Sequence, residues 1–522
     1  MKSYLARGCG LVLLGLAGTF SVQAEVSLPS IFSEHAVLQK SAKVPVWGKA
    51  EPGEAVTVAL DGTKAQTQAG ADGKWRVALD LKDKAEGPFE LIVEGKNKLV
   101  IPDVLVGDVW VCSGQSNMEW VLKNTLDGDE EIAKSANPRF RQFCVKKNTS
   151  PEPLDTVAGR WIVAAPETAE AFSAVGYYFG KQLNAELNKP IGLLHTAWGG
   201  TPSEAWTSAE ALGKDPELKE RMESLKAAIA AYPDQLKEYQ TQYAAWLAKY
   251  NRADQPAPNA KSFAAPDAAA AGWKPVTLPG LFAKASLPEA GAVWLRKKIT
   301  VPEEAAGKNL RLELGVIRDA DEVYWNGEKI GGTGLAANGN PPIRRYDVPA
   351  NLVKAGEATI AIRVFTQVDG AGVEIPKNGV FKAGTTDLSG EWLAKVEREL
   401  PPLEAAAKAE HPAEPARPMA PQLTASFLYN AMIHPLQPYA IEGAIWYQGE
   451  SNAGRAYQYR KAFPMLIQDW RAQWGQGDFP FYFCQLANYR AKRDVPEESD
   501  WAELREAQTQ TLALPNTGMA VL

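Results

Sequence analysis

The period with which apolar and polar residues alternate changes several times along the chain, and these changes divide it into predicted domains. In residues 25–102, short runs such as Ala55–Leu60 and Trp75–Leu79 alternate with a period of two and are separated by turn residues. A period of two places successive side chains on opposite faces of a β-strand. Many short strands separated by turns are typical of an all-β fold, so we predict a small β-sandwich for this N-terminal segment.

Longer apolar runs follow this segment and alternate with helical stretches. Val104–Cys112 and Ile191–Ala197 are almost entirely apolar, and the helical pattern of Gly176–Leu187 lies between them. Continuous apolar runs are typical of parallel strands buried on both faces, and strands that alternate with helices form a parallel sheet covered by helices. We therefore predict that residues 103–265 form the first part of an α/β domain.

An exposed helical hairpin is predicted within that first part, at residues 208–250. This stretch is rich in Ala, Leu, Lys and Glu, which favour helices and leave polar faces in solvent. Pro233 lies in its middle, and because proline disrupts a helix interior we expect two helical segments rather than one.

Alternation with a period of two returns further along the chain. The hairpin turn Trp325-Asn-Gly lies among several alternating runs, so we predict that residues 266–400 form a second, jelly-roll-like β-sandwich inserted into the α/β domain. Residues 401–421 are rich in Pro and Ala and are predicted to be a linker. The strand-and-helix pattern then resumes, so residues 422–522 are predicted to form the second part of the α/β domain.

The start of the chain has the pattern of a secretory signal. Lys2 and Arg7 precede the apolar run Leu11–Ala17, and Val22-Gln23-Ala24 offers the small residues that signal peptidase requires. We therefore predict a signal peptide at residues 1–24. The mature protein is expected to be secreted or periplasmic, with no membrane-spanning segment after signal cleavage.

Composition and charge exclude few functions. The chain of 522 residues is 45% hydrophobic and has a formal net charge of −6. It contains no extended Lys/Arg-rich segment, so nucleic acid is not an expected partner. Cys112, Cys144 and Cys484 remain after removal of the predicted signal. Their wide spacing fits no metal site, so we expect buried structural cysteines and no metal.

Polar clusters directly follow three predicted strands of the α/β domain. They are Ser113–Met118, Trp198–Pro202 and Gln448–Asn452. Open α/β sheets bind ligands at the carboxyl ends of their parallel strands. We therefore predict an active site where these three clusters meet.

The residue types in these clusters suit acyl transfer. The turn around Ser116 is expected to expose the serine hydroxyl and to direct backbone N–H groups to the same place. Gly199 and Gly200 lack side chains that would keep a substrate oxygen from their N–H groups, and Gln448 or Asn452 can supply a side-chain amide. Together these donors are candidates for an oxyanion hole, which stabilises the tetrahedral intermediate of acyl transfer.

Longer segments around these clusters carry a family resemblance. Val109–Met118, Trp198–Trp206 and Ile445–Asn452 resemble the sialate O-acetylesterase family, a branch of the SGNH hydrolases. The resemblance covers nearly the whole mature chain. It implies a flavodoxin-like, three-layer α/β/α esterase domain that removes acetyl groups from O-acetylated sugars or glycans through an acyl-enzyme, without metal or cofactor. By motif position it implies that Ser116 is the nucleophile and that its N–H also contributes to the oxyanion hole.

One feature of the family is absent from the sequence. SGNH hydrolases carry their catalytic base in an Asp-x-x-His motif near the C-terminus, and none of the 4 histidines stands in such a motif. His35 and His411 lie outside the predicted α/β domain. His195 precedes the second polar cluster, and His434 has Ala431 three residues earlier instead of an aspartate, so each is a weak alternative for the base.

Truncation explains this departure most simply. The last residues, Thr517–Leu522, have the pattern of a core strand, and in the family the Asp-x-x-His loop follows such a strand. We therefore expect a fragment that lacks its catalytic Asp and His. A serine without a base is a weak nucleophile, so little activity is expected.

Other functions remain open at this point. An acetylxylan-type polysaccharide esterase would use the same residues on another acetylated sugar, because loop shape decides specificity. A catalytically dead glycan-binding fragment is the alternative outside the enzyme class, and the absence of a base favours it. Hydrolysis of a short chromogenic acetyl ester distinguishes an esterase from a binding protein.

Overall fold

A computed structural model of the protein describes residues 25–522 apart from 270, 335–341, 378, 490, 492–494 and 496. The predicted signal peptide at residues 1–24 lies outside the described residues. The protein is a mixed α/β protein, as predicted. Its chain forms two compact units, one from the N-terminal part up to Ala230 together with Pro418–Leu522, and one from Ala231–Arg417.

The first unit begins with a region of short antiparallel strands. Strands β2 and β5 pair as a two-stranded sheet, β3 pairs with β4 and β6, and β6 pairs with the beginning of β7. Alternate residues of β5 are buried, as the period-two pattern predicts. The strands are β1 (Val37–Gln39), β2 (Val44–Lys49), β3 (Ala55–Leu60), β4 (Thr63–Gln68), β5 (Lys74–Leu79), β6 (Phe89–Glu94) and β7 (Lys98–Gly114).

Strand β7 belongs both to this region and to the α/β sheet. Its first residues, 98–103, alternate between exposed and partly buried, whereas all residues from Val104 to Gly114 are buried. The second half pairs in parallel with strands on both sides, and such strands are covered by other elements on both faces. This change of partner explains why the hydrophobic pattern changes at Val104.

The first part of the α/β fold continues from β7 to a long helix. Its strands β8 and β10 are parallel to each other, whereas β9 is antiparallel to β8. The elements are α1 (Ser116–Glu119), α2 (Gly128–Ala133), β8 (Asn137–Val145), β9 (Gly159–Ala164), α3 (Ala174–Leu187), β10 (Ile191–Ala197), α4 (Ala209–Leu212) and α5 (Pro216–Lys249).

Helix α5 corrects the prediction of a helical hairpin at residues 208–250. The hairpin is wrong, because α5 runs as one helix of 34 residues through Pro233. A proline in a helix interior costs about 3 kcal/mol. The many Ala, Leu, Lys and Glu residues on both sides have high helix propensity, and they keep the helix continuous around this single unfavourable position.

The second unit contains two antiparallel sheets. One has the strand order β11-β22-β13-β18-β15-β16, and the other contains the remaining six strands. Apolar side chains from both sheets, such as Leu295 and Leu314, lie in one core. The elements are β11 (Lys274–Leu278), β12 (Gly280–Leu281), β13 (Gly291–Val301), β14 (Leu310–Ile317), β15 (Ala320–Trp325), β16 (Glu328–Thr333), β17 (Ile343–Val348), β18 (Gly356–Thr366), β19 (Gly372–Glu374), β20 (Phe381–Ala383), β21 (Thr386–Asp387), β22 (Gly390–Glu399) and α6 (Ala405–Ala409).

The last part of the chain completes the α/β sheet of the first unit. The strand order is β25-β24-β23-β7-β10-β8-β9, and all neighbours except β8 and β9 are parallel. The sheet therefore has one edge at which the carboxyl ends of its parallel strands meet. The added elements are β23 (Gly443–Tyr447), α7 (Ala456–Trp474), β24 (Phe481–Cys484), α8 (Asp500–Gln510) and β25 (Thr517–Ala520).

Helices pack against the central strands of this sheet. A Cβ at Gly176 of α3 would lie 3.4 Å from the Sγ atom of Cys112 in β7. The Trp446 side chain of β23 packs against Phe463 and Trp470 of α7, with ring centroids 6.3 and 5.8 Å away. In the part of the chain that the structure describes, no helix has the length and apolar content needed to cross a bilayer.

Candidate active site

The three polar clusters lie side by side at the carboxyl edge of the α/β sheet. Gly114, the last residue of β7, is in register with Ala197 at the end of β10 and with Tyr447 at the end of β23. The first cluster includes Gly114, and the other two begin directly after Ala197 and Tyr447. The structure therefore brings them together.

A glycine is required where β7 ends. Gly114 has a φ of +142°, and a Cβ there would overlap the carbonyl oxygen of Tyr447 in the neighbouring strand. The backbone N–H of Gln115 donates to the same Tyr447 oxygen at 2.9 Å, and Trp198 N–H donates to the Gly114 carbonyl at 3.2 Å. This close approach of the backbones ties the three strand ends together.

Ser116 begins helix α1 and its side chain is exposed at this edge. In the described part of the chain, its backbone N–H makes no backbone hydrogen bond. The first N–H groups of a helix have no partner within the helix, so they are available to an anionic or polarised oxygen. The structure thus presents a hydroxyl and an N–H donor at one residue.

Gly199 lies directly beside the serine. A Cβ at Gly199 would be 3.4 Å from the Cβ of Ser116 and 3.3 Å from Oε2 of Glu119. The Gly199 N–H donates to this Glu119 oxygen at 2.7 Å, and the other carboxylate oxygen of Glu119 pairs with Lys147. The N–H of Gly199 therefore already has a carboxylate partner.

Gly200 differs from Gly199 in its surroundings. It is exposed and has a φ of +76°, and no atom lies within 4 Å of the position of an added Cβ. Its N–H makes no backbone hydrogen bond among the described residues. Of the two glycines, Gly200 has the more accessible N–H group.

Gln448 and Asn452 lie in a buried hydrogen-bond network. Gln448 is 0% exposed and Asn452 is 1% exposed. The amide of Gln448 donates to the Thr201 carbonyl at 3.1 Å and to Asn452 Oδ1 at 2.7 Å, while its Oε1 accepts from Tyr459 at 2.9 Å. Buried polar groups with such partners are costly to release. The structure thus engages the Gln448 amide fully, away from solvent.

The Asn452 side chain connects this network to a buried carboxylate. Its amide donates to Glu204 at 2.8 Å, and its Oδ1 also accepts from the Ser203 N–H at 2.9 Å. Glu204 pairs with Arg455. Burial opposes the charge of Glu204, but Arg455 and Asn452 outweigh it and hold the pKa of this carboxyl below its ordinary value. Asn452 is thus a partner of an ionised carboxylate.

Two further contacts join the first and third clusters. The Gln115 side chain accepts hydrogen bonds from the N–H groups of Gly449 and Ser451, both at 3.3 Å. The Asn117 amide donates to Glu450 Oε1 at 2.7 Å. Burial raises the pKa of Glu450, whose Oε2 is buried without a partner among the described residues. Glu450 therefore braces the two loops against each other.

His195 is the histidine that lies beside the serine segment. It belongs to β10, next to Cys112 of β7, and its ring is partly buried near the carbonyl of Met118 and the charges of Glu119 and Lys147. Burial lowers the pKa of His195 to about 4, so the ring is neutral at pH 7. Its Nε2 is buried and has no hydrogen-bond partner among the described residues.

The other histidines have partners elsewhere. His35 contacts Asp103 at 2.5 Å in the N-terminal region, and His434 contacts the Leu154 carbonyl at 3.0 Å. His411 packs against aromatic rings of the second unit. Among the hydrogen bonds of the described chain, none joins any histidine to the Ser116 hydroxyl.

A shallow cavity of about 370 Å³ opens next to the serine helix. Its lining includes Asn117 and Trp120 of this segment, Tyr178 of α3 and Tyr447 at the end of β23. Two of these side chains, Trp120 and Tyr178, are large and well exposed. Their rings offer apolar area beside the hydroxyl. No cluster of three or more potential metal-ligating His, Cys, Asp or Glu side chains occurs in the described ranges.

Several residues of this site were not singled out by the sequence. Glu119 stands three positions after Ser116, a spacing that puts both on one side of a helical turn, and this is the signal that could have identified it. Glu204 lies within the Trp198–Trp206 segment that carries the family resemblance, and no role was assigned to it there. Lys147 reaches the site through the fold alone, and no local sequence pattern connects it to the serine.

Comparison with known proteins places this geometry in a class. A sequence model described as "Carbohydrate esterase, sialic acid-specific acetylesterase" matches residues 106–238 and 417–521. The solved structure of a carbohydrate acetylesterase from Xanthomonas citri is similar at 27% sequence identity with a TM-score of 0.53, covering 95% of this chain and 68% of that one.

Curated relatives agree with this match. The rat sialate O-acetylesterase is 24% identical over 99% of this chain and 71% of its own length. The human sialate O-acetylesterase is 32% identical over 35% of this chain and 39% of its own length. The fold, the three clusters at one sheet edge and these similarities are those of a carbohydrate esterase. These matches confirm the resemblance to the sialate O-acetylesterase family that the sequence motifs indicated.

Proposed function

We propose that the protein hydrolyses acetyl esters on sugars with Ser116 as nucleophile. The observation that carries the proposal is the position of Ser116, which is exposed at the end of β7 with Gly199 beside it and with its own N–H unbonded. The serine oxygen attacks the acetyl carbonyl, the sugar hydroxyl leaves with a proton, and water then releases acetate from the acyl-enzyme. The relatives named as sialate O-acetylesterases support an O-acetylated sugar as substrate.

The proposed oxyanion hole consists of backbone N–H groups. The N–H groups of Ser116 and Gly200 are accessible, and that of Gly199 becomes available if the substrate oxygen displaces the Glu119 carboxylate. Gln448 and Asn452 hold the loops of the site in place and do not donate to the substrate, because their amides already donate to buried partners. In this arrangement preorganised N–H donors stabilise the charge that develops on the acetyl oxygen.

The proposed mechanism has no general base bonded to Ser116 among the described residues. No histidine hydrogen-bonds the Ser116 hydroxyl in the described structure, and His195, the nearest to this segment in the fold, is neutral and partly buried. A serine hydroxyl without a base attacks slowly. We therefore expect the protein to have low esterase activity, in which Ser116 attacks without a base and the oxyanion hole stabilises the intermediate.

We also propose how the layers of the fold are arranged and that the protein is exported. Helices α3 and α7 on the parallel sheet support a three-layer α/β/α arrangement of the SGNH type. The two antiparallel sheets of the second unit support an inserted β-sandwich. The signal-like pattern of residues 1–24 supports export to the periplasm or the medium.

The experiment compares the purified chain with Ser116→Ala on p-nitrophenyl acetate and on an O-acetylated sialic acid. Ser262→Ala is the matched control, because this serine is exposed and lies in the second unit. The proposal expects hydrolysis by the chain and by the control and only the background rate for Ser116→Ala. Equal rates for all three proteins would exclude Ser116 as the nucleophile.

A glycan-binding protein is the second candidate. It is favoured by one observation, the absence of a histidine bonded to Ser116 among the described residues. If neither substrate is hydrolysed above background, while an O-acetylated sugar still binds to the chain, this candidate replaces the esterase. An acetylxylan substrate tested beside the sialic acid distinguishes the two enzymatic alternatives by their relative rates.

A further inference from the structure

A second cavity lies within the first unit, between the N-terminal strands and the α/β fold. It has a volume of about 570 Å³, within the range of about 300–1,000 Å³ typical of small-molecule sites. Its lining comes from β2 and β5, from the loop around Asp155 and from the segment around His434. None of the three polar clusters at the sheet edge contributes to it.

Strands β2 and β5 supply one wall with aromatic and basic side chains. Trp47 is paired with Arg76 and Lys49 is paired with Lys74 in the antiparallel register. Side chains of paired residues, and of residues two apart, project from the same face of a sheet. These four side chains therefore form one patch, which we call the β2–β5 patch, with three cations around one indole ring.

The indole of Trp47 is held in a fixed position. Its ring contacts Phe32 edge-on, with centroids 4.7 Å apart, and Tyr439 at 6.3 Å. Its side chain is partly exposed, so part of the ring lines the cavity. A rigid aromatic ring offers apolar area at a low entropy cost, which suits the C–H face of a pyranose.

The charges around the ring leave a positive excess. Asp155 in the opposite wall lies 2.8 Å from the Lys74 ammonium and 3.9 Å from that of Lys49. Arg76 is exposed and makes no hydrogen bond or ion pair with any described residue. Asp155, together with Asp72 beside Lys74, thus faces three cations, and the guanidinium of Arg76 is left to pair with a further anion.

The opposite wall of the cavity is polar, and contacts within the wall hold its residues in place. His434 lines the cavity, and its Nδ1 contacts the Leu154 carbonyl at 3.0 Å, which joins the two segments of this wall. Pro435 and Pro438 flank the histidine and stiffen the backbone. A ligand that enters the cavity therefore meets hydrogen-bonding groups on both sides.

We propose that this cavity binds a carboxylated pyranose, with the sugar ring on Trp47 and the carboxylate on Arg76 and Lys49. The planar guanidinium of Arg76 presents two N–H groups to a carboxylate, and this geometry gives a charge-assisted pair. The site is separate from the serine, so it binds an acidic sugar unit whether or not the chain hydrolyses esters. The inference therefore does not depend on the proposed function.

Glucuronate and glucose are matched probes because they differ only in the carboxylate at C6. Titrations of the full chain, followed by calorimetry or by protein NMR signals, measure the two dissociation constants. We expect glucuronate to bind with a dissociation constant on the order of 1 mM and glucose to bind at least about tenfold more weakly. Binding of glucuronate should also weaken as salt is added. Equal affinity for both sugars, or no binding of glucuronate at tenfold higher concentration, overturns the proposal.

Variants locate the bound sugar. Arg76→Gln changes an exposed side chain and should weaken glucuronate binding about tenfold. Lys64→Gln is the control, because Lys64 is exposed on β4 and does not line the cavity. Trp47→Ala should abolish binding of both sugars, with folding checked by circular dichroism. If Arg76→Gln binds glucuronate as tightly as the control does, the acidic sugar binds elsewhere and the proposal is wrong.

Discussion

Two strand ends at the same sheet edge carry similar polar sequences but have opposite surroundings. The end of β7 presents Ser116 in solvent, whereas the end of β23 buries Gln448 and Asn452 and gives each of them several hydrogen-bond partners. An exposed, unbonded hydroxyl is able to react, and a buried, satisfied amide is able to hold a loop in place. A polar cluster after a buried strand therefore marks the site without telling which of its residues perform the chemistry.

The largest expected effect is a loss of esterase activity when the residue at the end of β7, Ser116, is changed. Ser116→Ala should lower p-nitrophenyl acetate hydrolysis by at least about 10²-fold, because it removes the attacking oxygen. The midpoint of thermal unfolding should hardly change, since the side chain is exposed. Kinetics and a thermal melt on the same preparation check both statements. A stable variant with unchanged activity would show that the β7 end is no more reactive than the β23 end.

The converse change at the β23 end should act mainly on stability. Asn452→Ala removes one buried hydrogen bond from each of Gln448, Glu204 and the Ser203 N–H, so we expect a loss of about 2–3 kcal/mol in the free energy of unfolding.

Urea denaturation measures this loss. Asn259→Ala is the matched control, because Asn259 is exposed and its replacement should change stability by less than about 0.5 kcal/mol. If Asn452→Ala is as stable as the control but inactive, Asn452 acts in catalysis and the distinction between the two strand ends fails.

Gly199 tests how closely the second cluster approaches the serine. An added Cβ at this position would lie 3.4 Å from the Cβ of Ser116, in the space beside the reacting oxygen. Gly199→Ala should therefore lower the rate about tenfold, since small displacements of reacting groups reduce catalysis. Gly334→Ala, at an exposed glycine of the second unit where an added Cβ meets no atom within 4 Å, serves as the control. Equal rates for Gly199→Ala and wild type would mean that the substrate does not enter this space.

The smallest expected effect concerns the pH dependence of stability. Burial lowers the pKa of His195 to about 4, below the value of about 6.5 in an unfolded chain. Between these two values the unfolded chain binds more protons than the folded one, so the contribution of His195 to stability is present above pH 6.5 and is lost as the pH falls toward 4.

His195→Gln should flatten the part of the stability–pH curve that lies between these values, as measured by urea denaturation at several pH values. Two variants with other histidines, His35→Gln and His411→Gln, are the comparison. An unchanged slope in His195→Gln would show that the pKa of this ring is the same in the folded and unfolded protein, and His195 would then have to be reconsidered as a member of the catalytic site.

The parts of the fold that follow from local patterns could be predicted. The period-two runs of β5, the buried second half of β7 and the clusters after β7, β10 and β23 are all visible in the order of residues. Helix α5 was mispredicted, because a rule for proline in isolated helices cannot weigh the propensity of 33 other residues in the same 34-residue helix.

The roles of the site residues depend on contacts that sequence order does not contain. Glu204 meets Asn452 across 248 positions, and only the packed fold brings the two side chains together. Glu119 is near Ser116 in sequence, but its bond to Gly199 crosses 80 positions. The sequence therefore indicated which loops meet, and the hydrogen bonds then distinguish the accessible donors from the buried ones.

The most direct test of the account is mass spectrometry of the chain after brief exposure to p-nitrophenyl acetate. Acylation by this ester needs little help from a base because p-nitrophenolate is a good leaving group, whereas deacylation needs a base to activate water, so the acyl-enzyme should accumulate. We predict an acetyl group on the peptide that contains Ser116, with no such adduct in Ser116→Ala. Continued release of acetate without any acetylation of this serine would contradict the central claim that Ser116 is the nucleophile.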